Sequence, residues 1–318
     1  MKEIDFTSFD SEKMLEKEIE DKEKVNKRND LVNFNEKDFI ELRLVSGNSD
    51  VSFYLVIHIK SFHVFMMKKI IFDKNSNNKS NEIEFDKEYS HRCLTPFYGF
   101  VRKEEIIVGF VYEFMSNGTL VDFMNKNKNE NENKEEEEIF CYMTMIRIAE
   151  AIKYLHSNSS IHRDIKPLNI LVDHNNIPYL SDFDTIRKIE NSTSEITHNI
   201  GSIIYTSPEQ YSDVVCSFPA DIYSFGQIIY FIFEKNDNLK GNDYSSLIEQ
   251  LKTFEIKEES KIPIPTQELI QKCIDIQPEN RPTINDIYDR IIDKLKSFQF
   301  LEIPFLQSIK EINISVFH

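Results

Sequence analysis

The 318-residue sequence predicts an α+β fold with two lobes, a small strand-rich lobe followed by a larger, mainly helical one. Residues 39–46, 51–59 and 63–72 are rich in β-branched and aromatic side chains, and residues 105–115 return to this pattern, which is typical of strands. After residue 138 the apolar residues recur at helical spacing instead. This change of period separates a strand lobe from a helical lobe.

The strand lobe also contains one predicted helix. Residues 81–90 (NEIEFDKEYS) have the pattern of a short helix and lie between the stretches 63–72 and 105–115. Strands combined with a single helix indicate a small lobe of mixed α and β structure.

Two buried helices are predicted in the helical lobe. The second runs from about Ala220 to Phe233 and is nearly all apolar after Asp221. The first is apolar over most of its circumference, which indicates that it is buried. Its main stripe recurs at spacings of four and three residues: Cys141, Met145, Ile148, Ile152 and Leu155.

Two acidic segments contain too little apolar material to form a packed core. Residues 1–38 carry 8 basic and 12 acidic side chains, and residues 125–138 (NKNKNENENKEEEE) carry 3 and 6. We therefore expect residues 1–38 to be a disordered N-terminal segment and residues 125–138 to be a low-complexity surface insert. A contact site for a basic partner is the alternative for the glutamate run.

The composition argues against several classes of protein. The net charge is 38 − 54 = −16 with a pI near 5.0, which argues against nucleic-acid binding. The four cysteines form no C-x-x-C pair, so neither a zinc site nor a disulfide framework is expected. The first residues lack the apolar run of a signal peptide, and no apolar stretch approaches the roughly 18 residues of a membrane span. We expect a soluble, cytoplasmic protein.

The residues with the clearest chemistry lie between Ile161 and Asp184, in a stretch that predicts a loop followed by a short hairpin. One loop presents Asp164, Lys166 and Asn169, and a second loop presents Asp182. A carboxylate can accept a hydroxyl proton, and carboxylate and amide oxygens are hard ligands that suit Mg²⁺. This combination points to metal-assisted transfer of an anionic group.

The sequence resembles the eukaryotic protein kinases in a collinear set of motifs. His162-Arg163-Asp164 followed by Asn169 resembles the catalytic loop, and Asp182-Phe183 matches the first two residues of D-F-G. The A-P-E stretch, the start of the central buried helix and a late arginine are matched by Ser207-Pro208-Glu209, Asp221–Gly226 and Arg281-Pro282. The resemblance implies that this arginine pairs with Glu209. The style of the motifs is closest to the tyrosine-kinase-like group of Ser/Thr kinases.

The resemblance covers residues 39–296 and implies a bilobal, protein-kinase-like α+β fold. The N-lobe, 39–112, would hold a small antiparallel sheet with one main helix, and the hinge would be 113–118. The mainly helical C-lobe would span 119–296. The apolar C-terminal tail, 297–318, would pack on its own domain or on a partner.

The same resemblance implies that the protein uses ATP and Mg²⁺. Asp164 would orient and deprotonate the acceptor hydroxyl, and Lys166 would offset charge on the transferred group. Asn169 and Asp182 would hold Mg²⁺. Lys68, paired with Glu82, would contact the α and β phosphates.

Further positions follow from the motifs. The rest of the ATP pocket would comprise the hinge residues Glu113 and Met115 together with Leu171, Phe53 and Met66, and Tyr112 would be the gatekeeper. Regulatory or structural positions would be Arg163, Ser202, Glu209, Asp221 and Arg281. A phosphate on Ser192, Thr193, Ser194 or Thr197 could order the activation segment through Arg163.

Three departures from the family pattern bear on ATP binding. The three glycine positions of the phosphate loop are occupied by Ser46, Asn48 and Val51. Phe53 and Met66 enlarge side chains that cover adenine, where the family has smaller residues. Asp184 replaces the glycine of D-F-G and could either repel phosphate or add a magnesium ligand.

We therefore predict a protein kinase that transfers the ATP γ-phosphoryl group to Ser/Thr hydroxyls of protein substrates in intracellular signalling. The alternative is a pseudokinase scaffold with weak or no ATP binding. A kinase acting on small molecules is disfavoured by the complete end of the activation segment, Gly201 to Glu209. The sequence leaves the protein substrate and the oligomeric state open.

Overall fold

The computed structural model describes residues 31–48, 51–70, 89–104, 106–127, 134–189, 204–212, 217–237, 239 and 244–297. The chain divides into two compact units, and the boundary between Asn117 and Gly118 falls inside the predicted hinge 113–118. The first unit also contains Tyr179–Asp184. Some predicted features lie outside the described residues: segment 1–30, residues 81–88 with Glu82, the activation-segment residues 190–203 with Ser202, and the tail 298–318.

The first unit is built on six strands: β1 (Val32–Asn35), β2 (Phe39–Gly47), β3 (Val51–His58), β4 (Val64–Ile70), β5 (Phe97–Lys103) and β6 (Ile106–Glu113). They form one sheet in the order β1-β5-β6-β4-β3-β2. Neighbouring strands are antiparallel except β1 and β5, which are parallel. Strands β2, β3, β4 and β6 confirm the four strands predicted from the sequence.

Both faces of this sheet are apolar. One face carries a buried cluster of Phe39, Val56, Phe65, Met67, Val101 and Val111. A second buried cluster contains Ile70, Phe100 and Phe110, which lie on the opposite face because successive side chains of a strand alternate. Lys68 is directly opposite Phe110 across β4 and β6, so it belongs to this second face.

The prediction that residues 1–38 are disordered is wrong for the last of them. Residues Val32–Asn35 form β1, and Glu36–Asp38 form a 3₁₀ turn whose amino end is capped by a capping box between Asn35 and Asp38. The ring of Phe34 packs edge-on against Phe39 at 5.2 Å between centroids. The sequence pattern does not predict this strand, because its four residues pair with β5 mainly through the backbone and Phe34 alone of them packs against the core.

The sequence pattern also does not predict β5. Gly99 interrupts its apolar run, and glycine weakens a strand signal. The structure shows why a glycine lies there: its φ is +149°, and a Cβ would be 2.0 Å from the Val32 carbonyl oxygen. The parallel contact with β1 therefore requires Gly99.

The second unit is mainly helical. Its helices are α1 (Leu120–Lys126), α2 (Lys134–Ser157), α3 (Glu209–Ser212), α4 (Phe218–Glu234), α5 (Tyr244–Lys252), α6 (Ile264–Cys273) and α7 (Ile284–Ser297). The chain also forms the short strands β7 (Ser160–Ile161), β8 (Ile170–Val172), β9 (Pro178–Leu180) and β10 (Arg187–Lys188), of which β7 and β10 are antiparallel partners. Helices α2 and α4 confirm the two predicted buried helices, and the α+β fold class is confirmed.

The predicted insert 125–138 is shorter than its composition suggests. Helix α1 continues to Lys126, and helix α2 begins at Lys134, so the glutamate run lies in the first turns of a helix. Acidic side chains are favourable there because the amino end of a helix carries partial positive charge. Glu137 also pairs with Lys235 at 2.9 Å. None of the described helices is long and apolar enough to span a membrane.

Candidate active site

The loop after β7 places two polar side chains around one carboxylate. Lys166 Nζ lies 2.6 Å from Asp164 Oδ2, and Asn169 Nδ2 donates to the same oxygen at 2.9 Å. The Asn169 amide also donates to the Asp164 carbonyl oxygen at 2.9 Å. A 3₁₀ turn, Pro167–Asn169, places the amide back toward the carboxylate. A proton acceptor held by a cation and an amide is suited to orienting a hydroxyl group.

Asp221 of α4 anchors this loop through hydrogen bonds to its backbone. Its carboxylate accepts from the backbone N–H groups of His162 and Arg163, each at 2.9 Å, and lies 3.0 Å from His156 Nε2. Burial alone would raise the pKa of the Asp221 carboxyl, but the hydrogen bond and charge of His156 and the backbone donor hold it below its usual value. Asp221 therefore stays ionised and supports Arg163 in its left-handed conformation, φ +73°.

The guanidinium of Arg163 has a buried nitrogen, Nε, that lacks a hydrogen-bond partner among the residues the structure describes. The four hydroxyl residues predicted as phosphate acceptors, at positions 192–194 and 197, lie outside those residues. Their relation to Arg163 therefore stays a prediction.

Glu209 and Arg281 form a closed ion pair in the second unit. The guanidinium donates to both carboxylate oxygens at 2.7 and 2.8 Å, and it also donates to the Pro219 carbonyl oxygen at 2.9 Å. Its charged centre lies 5.2 Å from the centroid of the Tyr223 ring. This is the pairing that the kinase resemblance implies, and it ties α3 to the start of α4.

In the first unit, Lys68 contacts an acidic side chain, Asp184, at a position where the family pattern has glycine. Its Nζ lies 2.7 Å from both carboxylate oxygens of Asp184. Asp184 belongs to a 3₁₀ turn, Phe183–Thr185, that directly follows Asp182, a residue with φ +65°. Glu82, the predicted partner of Lys68, lies outside the described residues.

The sheet register places the two bulky substitutions beside this lysine. Phe53 is directly opposite Lys68 across β3 and β4, and Leu55 is opposite Met66. Directly opposite residues point to the same face, and so do residues two apart in a strand. Phe53 and Met66 therefore share the face of Lys68, and their predicted contact with adenine stays a prediction.

The start of the predicted hinge is hydrogen-bonded to strand β5 and to the residue before it. The Glu113 N–H donates to the Pro96 carbonyl oxygen at 3.0 Å, and the Glu113 carboxylate accepts a short hydrogen bond from the Tyr98 hydroxyl. Burial and the nearby negative charge of Glu113 raise the pKa of Tyr98, so the phenol remains a donor. The Tyr112 ring packs against Phe97 at 5.2 Å between centroids. Met115 is buried in the first unit.

Leu171 lies in β8 of the second unit, where it forms a β-bridge with Thr119. The neighbouring Val172 N–H donates to the Gly118 carbonyl oxygen at 2.9 Å. These bonds fix Leu171 against the start of α1 within its own unit.

The loop that replaces the glycine-rich turn is closed by internal hydrogen bonds. The Asn48 N–H donates to the Val51 carbonyl oxygen at 2.8 Å, and the Val51 N–H donates to Asn48 Oδ1 at 2.9 Å. Among the described residues, neither Ser46, Asn48 nor Val51 has positive φ. The loop thus uses backbone N–H groups internally, in a region where the family pattern uses them for phosphate.

The residues present suit a metal bound together with phosphate. Within the described part of the chain no group of three or more His, Cys, Asp or Glu side chains has metal-binding geometry. Mg²⁺ in nucleotide sites typically takes one or two carboxylates and completes its shell with phosphate oxygens and water. Asp182 of the first unit has a carboxylate of this kind and Asn169 of the second unit has an amide oxygen, and their predicted binding of Mg²⁺ stays a prediction.

Sequence reasoning did not find two supporting residues. His156 lies in the last turn of α2, where nothing in the sequence indicates its contact with Asp221, 65 positions away. Tyr98 lies in the strand that the pattern does not predict. The broken D-F-G motif marks Asp184 in the sequence, but that motif does not indicate that Lys68 is its partner.

Comparison with known proteins agrees with the motifs. A family model described as "Protein kinase domain" matches residues 46–291. A serine/threonine-protein kinase of Candida albicans is 26% identical over 270 residues, which cover 81% of this chain and 27% of that protein. A leucine-rich repeat receptor-like protein kinase of Arabidopsis thaliana is 27% identical over 269 residues, 74% of this chain and 24% of that protein. The Aurora kinase of Saccharomyces cerevisiae is 26% identical over 208 residues, 65% of this chain and 54% of that kinase. The chain thus spans only about a quarter of the length of the first two relatives.

Proposed function

This chain belongs to the protein kinase family, and from that premise we propose that it transfers the γ-phosphoryl group of ATP to Ser or Thr hydroxyls of protein substrates. The observation that carries the proposal is the convergence of Lys166 and Asn169 on Asp164 Oδ2, at 2.6 and 2.9 Å. A kinase domain uses ATP with a divalent metal and acts on proteins. The choice of Mg²⁺ and of Ser/Thr acceptors is part of the proposal.

Each residue of the loop has a defined task in this reaction. Asp164 orients the acceptor hydroxyl and takes its proton, and Lys166 offsets the charge that develops on the transferred group. Asn169 and Asp182 would hold Mg²⁺, and this metal would supply positive charge that offsets the charge of the phosphates. Lys68 positions the α and β phosphates. Ser/Thr specificity is supported by Lys166, which the tyrosine-kinase pattern lacks, and by the names of the relatives.

The test is phosphoryl transfer by the full chain to a mixture of Ser/Thr and Tyr peptides. Asp164→Asn keeps the size of the side chain but removes the proton acceptor, and loss of a general base lowers the rate by about 10²–10⁴-fold. Asp182→Asn is expected to abolish transfer by removing a metal ligand. Asp289→Asn, an exposed position of α7, makes the same charge change and should leave the rate unchanged. Undiminished transfer in either of the first two variants would contradict the assigned roles.

A second candidate function is a kinase-fold scaffold that binds nucleotide weakly or not at all. It is favoured by the internally bonded loop at Asn48 and by the bulky Phe53 and Met66 on the face of Lys68. Thermal unfolding with Mg²⁺ and ATP separates the two functions. Nucleotide at about 100 times its Kd adds roughly 2.7 kcal/mol to the stability. An unfolding temperature that does not move at millimolar nucleotide supports the scaffold.

We also propose that phosphorylation of the activation segment regulates the enzyme through Arg163. The buried Nε of Arg163 supports this, because a phosphate oxygen is a strong acceptor for a guanidinium. Phosphopeptide mapping of the active protein is the test. Full activity with Ser192, Thr193, Ser194 and Thr197 all unmodified would contradict the proposal.

A further inference from the structure

The ion pair between Lys68 and Asp184 is asymmetric. The Lys68 side chain is only 6% exposed, whereas that of Asp184 is 43% exposed. The lysine is held within the sheet, with Nζ 6.0 Å from the centroid of the Phe110 ring. The carboxylate instead lies on a short 3₁₀ turn and borders solvent. If the pair separates, water can therefore solvate the Asp184 carboxylate but not the Lys68 ammonium group.

A carboxylate and a phosphate are competing partners for one ammonium group. Both are anionic oxygen acceptors, and an ammonium presents three N–H donors in a compact volume. Here Nζ lies within 2.7 Å of both Asp184 oxygens, so a phosphate oxygen that approaches Lys68 meets a cation already neutralised by a resident anion. The two roles left open by the sequence, repulsion of phosphate and metal binding, both assume a carboxylate that is not engaged with a cation.

We propose that the Asp184 carboxylate competes with nucleotide phosphates for the Lys68 ammonium group. By pairing with Lys68, Asp184 lowers the affinity of the site for phosphate-bearing nucleotides. The inference rests on the proposed function, because it assumes that Lys68 contacts nucleotide phosphates. The competition is reversible, since the exposed carboxylate can move into water when phosphate binds. Asp184 thus acts through Lys68 and is a positioning residue that sets nucleotide affinity.

The decisive experiment measures binding, not transfer. The full-length chain, its Asp184→Asn variant and its Asp184→Gly variant are titrated by calorimetry with ATP and with adenosine. Each titration is done with EDTA and again with Mg²⁺. Asp184→Asn removes the charge at nearly constant shape, and Asp184→Gly restores the residue of the family pattern. Glu41→Gln is the matched control, because Glu41 pairs with Lys69 in the same sheet and has no role in the proposed site.

The expected result is a change confined to the phosphate-bearing ligand. The Kd for ATP falls about two- to fivefold in Asp184→Asn, the size expected for a partly exposed ion pair. The effect persists in EDTA, and the Kd for adenosine stays unchanged. Glu41→Gln behaves as the wild type with both ligands. ATP binding that appears only in the Asp184 variants supports the inference in its strongest form.

Three results would overturn the inference. One is an unchanged Kd for ATP in both variants. Another is an equal gain for ATP and adenosine, which would mean that Asp184 shapes the pocket. The third is weaker ATP binding in Mg²⁺ by Asp184→Asn, which would make the carboxylate a metal ligand. In all three cases the wild type binds ATP, so the proposed function survives. If no variant binds either ligand at millimolar concentration, both the inference and the proposed function fail.

Discussion

The charged groups of Asp164 and Lys68 differ in how firmly their partners are fixed. Asp164 is contacted by residues two and five positions away, and its loop is anchored by the fully buried Asp221. Lys68 instead contacts a carboxylate 116 positions away on a side chain that is 43% exposed. The first group is fixed by short-range bonds and a buried support, whereas the second can exchange its partner. Under the proposed function, the first group would set the geometry for catalysis and the second would set the affinity for nucleotide.

The largest effect tests whether the second unit depends on its buried ion pairs. Arg281→Met leaves Glu209 without its cation, and breaking a buried pair costs about 3–5 kcal/mol. Urea unfolding of the full chain measures the loss. Arg290→Met, on the exposed side of α7, should change stability by less than about 0.5 kcal/mol. Equal losses in the two variants would show that the second unit does not depend on the ion pair between Arg281 and Glu209.

The next effect concerns Asp221, which anchors the loop that contains Asp164. Asp221→Asn replaces one accepting oxygen by an amide and weakens the contacts with His162, Arg163 and His156. Hydrogen bonds to a charged group contribute about 1.5–3 kcal/mol, and we expect a loss of stability in that range. Transfer should fall as well, because the Asp164 loop loses its support. A variant with normal activity and stability would show that the loop is fixed by its local bonds alone.

The pH dependence gives an independent measure of the same anchor. The pKa of Asp221 in the folded chain is lowered from the ordinary 3.8, so the unfolded state binds its proton more readily. Its stabilising contribution is therefore fully present above about pH 4 and is lost as the pH falls through the lower, folded-state pKa. The stability difference between wild type and Asp221→Asn should shrink below that pH. A difference that stays constant down to pH 2 would contradict this.

A smaller effect is expected at the edge of the first unit. Gly99→Ala would place a Cβ against the Val32 carbonyl oxygen and force an unfavourable φ, at a cost of about 1–3 kcal/mol. The change should act mainly on β1. Hydrogen exchange of residues 32–35 would report faster exchange there than in β4. Uniform protection in both strands would mean that β1 adapts without strain.

The smallest effect on stability is expected for Asp184→Asn, and it tests most directly whether the ion pair of Lys68 is exchangeable. Without nucleotide, Asp184→Asn should change the unfolding free energy by less than about 1 kcal/mol, because the Asp184 carboxylate is itself 43% exposed and gains little from its ion pair. Urea unfolding beside Arg281→Met tests this directly. A loss as large as that of Arg281→Met would mean that the Lys68 pair is structural, not exchangeable.

Much of the fold and of the site follows from short-range pattern. Strand and helix periods predict four of the strands and the two buried helices, and the Asp164 loop follows from residues within five positions of each other. Local pattern fails where a few residues depend on distant partners. Strand β1 is stabilised by Phe34 and by the space at Gly99, and the glutamate run reads as a loop although it begins helix α2.

The sequence by itself determined the α+β class, the order of the kinase motifs and the types of side chain available for phosphoryl transfer, because these depend on local period and spacing. Only the tertiary structure decided which partners the charges take. Lys68 contacts Asp184, and His156 contacts Asp221, through pairs 116 and 65 positions apart. Such contacts depend on the register of a sheet and the packing of helices, which bring together residues that spacing along the chain cannot relate.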